Sequence, residues 1–279
     1  MTDFRSLFEP DIANQFISIL GVLAGIFTVI ALLMGNVGSS LPSSDTSAVS
    51  SESIAKIKPG VSKQISQGDD VYIKMGDQFS VCSLSYVSEK SRTGYIPAYC
   101  VRAAGVPSHG AEVYIKPRGE DGLYQLATFD GFSSKYHEPQ ANTDPKSFTD
   151  FLNGNIAYIA FNGDADINSN TNHLSPGPIA MKNPDDSARA CTLLVKSKEP
   201  KCGKIVYAHG GSQPLLSLDD APAEELGGPV WLEETHMFLG WASMYGEFRD
   251  SSSNHNEQHH KGYWITQLHT AYDRGQPIS

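Results

Sequence analysis

The sequence predicts a membrane-tethered protein whose folded part is all-β. Three observations carry this: a charge-free apolar segment near the N-terminus, short β-branched and aromatic runs from residue 71 onward, and four cysteines beyond the apolar segment. Composition frames them. The 279 residues hold 31 acidic and 21 basic side chains, a formal charge of −10, and only 19% are charged. A soluble domain has roughly 25%. The deficit has a location, because no Asp, Glu, Lys or Arg occurs between Asp11 and Asp45. Residues 54–279 carry 26 acids and 20 bases with no Lys/Arg-rich stretch. That balance argues against nucleic acid as a partner and against an electrostatic grip on anionic lipid.

Phe16 to Met34 reads FISILGVLAGIFTVIALLM, nineteen residues interrupted by Ser18, Thr28 and two glycines. As a helix at ~1.5 Å per residue it spans ~28 Å, close to the ~30 Å hydrocarbon core. Its length, the three acids in the first eleven residues and the lack of a small-x-small cleavage site favour an uncleaved span over a signal peptide. The expected organisation is a short cytoplasmic tail (1–15), a transmembrane helix (16–35), a flexible linker (36–53) and a folded ectodomain (54–279). Gly21 and Gly25 lie one turn apart on one face of the span, small-xxx-small spacing that lets another helix approach closely. Residues 39–53 hold eight serines and no aromatic residue, too little apolar area to order a segment. Arg5 and the α-amino group are the positive charges nearest the span on its N-terminal side, a weak signal for a cytoplasmic N-terminus.

The ectodomain runs are VYIKM (71–75), FSVCSLSYV (79–87), EVYIK (112–116), LYQLATF (123–129), IAYIAF (156–161), CTLLVK (191–196), KIVYAH (204–209), PVWL (229–232) and MFLGWAS (237–243). Strand-sized pieces punctuated by Gly, Pro, Asn and Asp, with no helical period between them, indicate antiparallel sheet. One helix is expected, at the C-terminus, where Trp264, Leu268 and Ala271 form a stripe in YWITQLHTAY (263–272). The cysteines pair most simply as Cys82–Cys100 and Cys191–Cys202, since neither pair has the spacing of a metal or redox motif. Disulfides need an oxidising compartment. The domain is therefore expected outside the cytoplasm, on a single-pass protein of the cell membrane.

Three stretches then resemble the chymotrypsin/trypsin-like serine peptidases. CSLSYVSEKSRTGYIPAYC (82–100) is similar to that family's first disulfide loop, NIAYIAF (155–161) to the strand carrying its aspartate, and EELGGPVW (224–231) to its GDSGGPVW loop. The resemblance covers roughly residues 54–279 and implies two six-stranded antiparallel β-barrels with a C-terminal helix. It also implies that the triad positions are Tyr99, Asn155 and Leu226 in place of histidine, aspartate and serine. Acyl transfer needs a nucleophile, a base and an orienting anion. Leucine cannot attack a carbonyl, a phenol of pKa near 10 is a poor base at neutral pH, and asparagine carries no charge. Glu224 replaces the loop glycine, so its carboxylate would repel an oxyanion. Gly227, Gly228 and Pro229 are retained as turn residues. The implied state is a pseudo-peptidase with no catalytic residue.

Other constellations are weaker. His255, Glu257, His259 and His260 sit in a polar stretch without an HExxH helix, and read as a solvated loop. Asp164, Asp166 and Asn168 match the first alternate positions of a calcium loop, but Ser169 and Ser175 stand where glycine and glutamate belong. Whether they bind calcium stays open. No metal and no cofactor is expected, and C-x-x-C-H, the haem attachment motif, is absent. LDDAPAEEL (218–226) places Glu224 and Glu225 in a possible docking loop for a basic partner.

The expected function is a non-catalytic, exocytoplasmic scaffold, an accessory or assembly subunit of a larger complex of integral membrane proteins. The actinobacterial respiratory cytochrome bcc–aa3 supercomplex is the candidate setting. The alternatives are a peptide- or ligand-binding envelope module using the inactive cleft, and a hydrolase with displaced residues such as Ser212 and His209.

Overall fold

The computed structural model describes residues 54–58, 60–102, 105–134, 136, 145–168, 170–208, 213–223, 225–250 and 258–269. All of them fall in one compact unit, Ser44–Ser279. The expected tail, span and linker, with Gly21 and Gly25, lie outside the described residues. Among the described residues no helix is long and apolar enough to cross a membrane.

The first sheet is built from β2 (Asp70–Met75), β3 (Gln78–Ser83), β4 (Tyr86–Ser88), β5 (Thr93–Pro97), β6 (Glu112–Lys116), β7 (Tyr124–Phe132) and β8 (Ile156–Phe161). Its order is β3-β2-β6-β7-β8-β5-β4, antiparallel throughout. The terminal strands β3 and β4 are halves of one run separated by Leu84 and Ser85. There the Leu84 N–H donates to Asp69 O and the Ser85 N–H to Tyr95 O. The sheet therefore curls until its two ends are joined through that bend. Two short helices interrupt it, α1 (Ala98–Arg102) after β5 and α2 (Pro145–Gly154) before β8. β1 (Lys63–Gln64) and β9 (Ala165–Asp166) pair in parallel beside it.

The second sheet is a closed barrel in the order β10-β11-β12-β15-β14-β13. Its strands are β10 (Arg189–Leu193), β11 (Pro200–Ala208), β12 (Gln213–Ser217), β13 (Pro229–Leu232), β14 (Phe238–Asp250) and β15 (Gln258–Gln267). The fold is thus all-β, a closed six-stranded barrel beside a curled sheet.

Each sheet wraps its own apolar core. Val71, Ile73, Ile96, Val113, Ile115, Leu126, Phe129 and Ile159 fill the first; Ile205, Leu216, Val230, Leu239, Tyr263 and Ile265 fill the second. A third cluster joins them, with Tyr95, Ile156 and Tyr158 against Phe238, Trp241 and Leu268. The segment leading into β2 is stitched to the connection between the sheets by Gln67, which is fully buried. Its Nε2 donates to Ser85 O and Ser175 Oγ, and its Oε1 accepts from the Leu174 and Ser175 N–H groups. A buried amide with both ends satisfied repays its desolvation.

Two expectations need correction. Residues 263–267 form β15, not a helix, between β12 and β14. Tyr263, Trp264, Ile265, Thr266 and Gln267 are all buried, so both faces are covered and the i, i+4, i+7 stripe is accidental. The aromatic and β-branched residues suit a strand packed on both sides. The helices among the described residues are α1 and α2, neither of them expected, and α2 has Pro145 at its first helical position. β5 and β12 also lie outside the expected runs.

Candidate functional site

Tyr99, Asn155 and the Leu226–Gly228 loop meet where the two sheets abut. Tyr99 is the second residue of α1, whose neighbour Cys100 is disulfide-bonded to Cys82 of β3. The first N–H groups of a helix have no partner within it. Asn155, fully buried immediately after α2, supplies one: its Oδ1 accepts the Tyr99 N–H at 2.8 Å. Its Nδ2 donates to Ser243 Oγ at 3.1 Å, and the Ser243 and Thr266 hydroxyls bond to each other. A polar chain therefore runs from α1 through Asn155 into β14 and β15.

Ser243 reaches this position because the β14–β15 register shifts between Ala242 and Met244. A bulge re-aims one side chain without ending the ladder. The sequence reading passed over Ser243; the available signal was a hydroxyl interrupting the apolar run FLGWA.

The glycine loop is set by close approach. Gly227 has φ +92°, a left-handed conformation that glycine adopts without strain. Its N–H donates to Ala242 O at 2.7 Å, and Gly228 O accepts the Ala242 N–H at 3.0 Å. A Cβ on Gly227 would lie 3.1 Å from the Tyr99 hydroxyl oxygen, and one on Gly228 only 1.8 Å from Leu193 O. The phenol thus sits directly over the loop. Leu226 is half-buried and packs against the second core beside Ala221. Burial pushes the Tyr99 phenol well above the ordinary tyrosine range, so it stays protonated. Tyr99, Asn155 and Leu226 thus offer a neutral phenol, a neutral amide and an alkyl group.

Of the docking-loop residues, Glu225 is half-buried and its carboxylate accepts the Lys196 N–H at 3.2 Å. That contact holds it to the β10–β11 turn. Glu224 lies outside the described residues, as do His209, Ser212, His255, Glu257 and Ser169. His259 is exposed, and His260 Nδ1 lies 3.5 Å from Ser217 Oγ. In the 164–168 stretch the Asn168 amide donates to Asp166 Oδ2, the Asn170 N–H to Asn168 Oδ1, and the Asp164 N–H to Asn162 Oδ1. The last two are turn contacts of Asx type, a backbone N–H donating to the side chain two residues earlier. Ser175 is buried against Gln67.

Both expected disulfides are present, Cys82–Cys100 and Cys191–Cys202. The second joins residues that face each other across β10 and β11. Glu233 lies close by, within 4.8 Å of both sulfurs by a carboxylate oxygen. With the sulfurs bonded to each other the thiolates a metal would need are absent.

No protein-family profile matches the chain, and no curated protein does. Several solved structures resemble it. The thermostable serine protease AL20 from an extremophilic microorganism is 13% identical, covers 74% of this chain and 95% of its own, and has a TM-score of 0.43. The protease Anisep from Arthrobacter nicotinovorans is 12% identical over 76% of this chain and 97% of its own, TM-score 0.43. Human heparin binding protein is 11% identical over 74% of this chain and 88% of its own, TM-score 0.42. The fold described above rests on the strand ladders rather than on these likenesses.

Proposed function

We propose that the chain is a non-catalytic, membrane-anchored scaffold whose exocytoplasmic domain is a serine-peptidase-like pair of sheets that lost its chemistry. The observation that carries this reading is the meeting of Tyr99, Asn155 and the Leu226–Gly228 loop at one place. On this reading the place is the frame of a triad whose reactive groups are replaced, and the Tyr99–Asn155–Ser243 hydrogen bonds that hold it support that. Removing one member of such a unit already costs several orders of magnitude in rate. The Tyr99 phenol also fills the space over Gly227, where an acyl group would need room. With leucine at position 226, our reading gives the domain a binding role, and the charge-free segment 16–34 would hold it beside integral membrane partners.

Hydrolysis is the direct test. The full-length chain in mild detergent should not turn over activated acyl esters or peptides above the uncatalysed rate. Turnover that Ser212→Ala abolishes would replace this proposal with a hydrolase using displaced residues. Gentle detergent extraction followed by mass spectrometry tests the other half. Integral membrane proteins should co-purify, and a chain that runs alone as a monomer would refute the subunit role.

A further inference from the structure

The two disulfides sit in different surroundings. Cys82 is 5% exposed and Cys100 half-buried against the first core. In the other bridge Cys191 is 4% exposed, packed with Leu193 and Trp231, while Cys202 is open to solvent. One end of the Cys191–Cys202 bond is therefore within reach of an incoming thiolate and the other is shielded. Displacement runs along the sulfur–sulfur axis, so attack at the exposed Cys202 sulfur expels the buried one.

The charges around this bond are mixed. Arg189 and Lys204 face each other across the ladder, two residues from Cys191 and Cys202 on the same face. Arg189 is ion-paired with Glu233, and Lys204 is exposed. Glu233 repels a thiolate and the two cations attract it, leaving a net positive approach.

The turn that this bridge closes touches the degenerate site and the first sheet. The Lys196 N–H holds the Glu225 carboxylate, and Leu193 O lies against Gly228. Lys198 Nζ donates to Gly68 O and Asp70 Oδ1, both at 2.9 Å. Opening the hairpin would release contacts to both.

We propose that Cys191–Cys202 is a thiol–disulfide exchange site for dithiol reductants, and that its reduction loosens the 194–199 turn together with the 225–228 loop. In the exchange, a thiolate of the dithiol forms a bond to Cys202 Sγ while the Cys191–Cys202 bond breaks. The electron pair leaves on Cys191 Sγ, which takes up a proton in its apolar surroundings. The second thiol of the reductant then displaces Cys202, so the dithiol is oxidised to its disulfide and two protein thiols remain. This inference is independent of the proposed scaffold role.

The experiment treats the full-length chain in detergent with graded dithiothreitol at neutral pH without denaturant, then traps thiols with iodoacetamide and maps them by peptide mass spectrometry. Cys191 and Cys202 should be labelled at least about tenfold faster than Cys82 and Cys100. Hydrogen exchange at Lys196 and across 225–228 should rise at the same time. The Cys191→Ala/Cys202→Ala double variant should show the same rise without reductant, separating this bridge from the other. Equal labelling of the two pairs, or opening of Cys191–Cys202 only in denaturant, overturns the exchange site. Unchanged hydrogen exchange in the double variant overturns the coupling to the loop.

Discussion

Replacing Asn155 with leucine tests whether the place where Tyr99, Asn155 and Ser243 meet is held by the contacts described. Leucine has the same branched side-chain skeleton in heavy atoms, with methyl groups in place of the amide oxygen and nitrogen, so Asn155→Leu removes hydrogen bonding without opening a cavity. Two bonds are lost, Tyr99 N–H to Oδ1 and Nδ2 to Ser243 Oγ. The Tyr99 N–H has no partner inside α1, and an orphaned buried donor costs about 1–3 kcal/mol. Ser243 keeps its bond to Thr266, so the second loss contributes about 1 kcal/mol or less. The total is about 1–4 kcal/mol, which for a domain of this size lowers Tm by about 2–16 °C. Thermal and urea denaturation of the full chain followed by near-UV circular dichroism would measure it. A loss below about 0.5 kcal/mol, the range of an inconsequential surface change, would refute the reasoning. Asn155→Asp is the companion. Its buried carboxylate destabilises at neutral pH and recovers on acidification, when the protonated acid both accepts from Tyr99 and donates to Ser243.

Gly228→Ala should fail more severely, because its Cβ would fall 1.8 Å from Leu193 O. We expect a loss beyond about 3 kcal/mol, seen as poor recovery of folded protein, and normal stability would contradict the described packing. Asp69 is 2% exposed, and burial raises its pKa from 3.8 to about 6 against the lowering effect of the Ser66 and Arg118 N–H groups. Its contribution to stability is present in full below pH 3.8 and is lost as pH rises through 6, about 3 kcal/mol in all. Urea titrations between pH 4 and 7 should show this slope in the native chain and not in Asp69→Asn; parallel profiles would refute the assignment.

The all-β class and most strand positions, though not β5, β12 and β15, were legible because local chemistry determines them. β-branched and aromatic runs between turn residues behave the same way in any antiparallel sheet. The helix expected at 263–272 shows where local reading stops. Trp264 and Leu268 have helical spacing, yet β15 is a strand because β12 and β14 flank it and bury both of its faces. Periodicity carries no information for a segment covered on both sides.

By itself the sequence determined that the domain is all-β, which cysteines pair, and which side chains stand at Tyr99, Asn155 and Leu226. Those are matters of residue identity and short spacing. Only the tertiary structure decided that these residues meet, that a bulge delivers Ser243 to Asn155, and that the Tyr99 phenol lies over Gly227. Residues 99, 155 and 227 are far apart in the chain, and their distances depend on how two separately cored sheets close against each other through Phe238 and Trp241. The solvent exposure of Cys202 and the burial of Cys191 belong to the same category, since facing residues of one ladder are distinguished only by what packs on each.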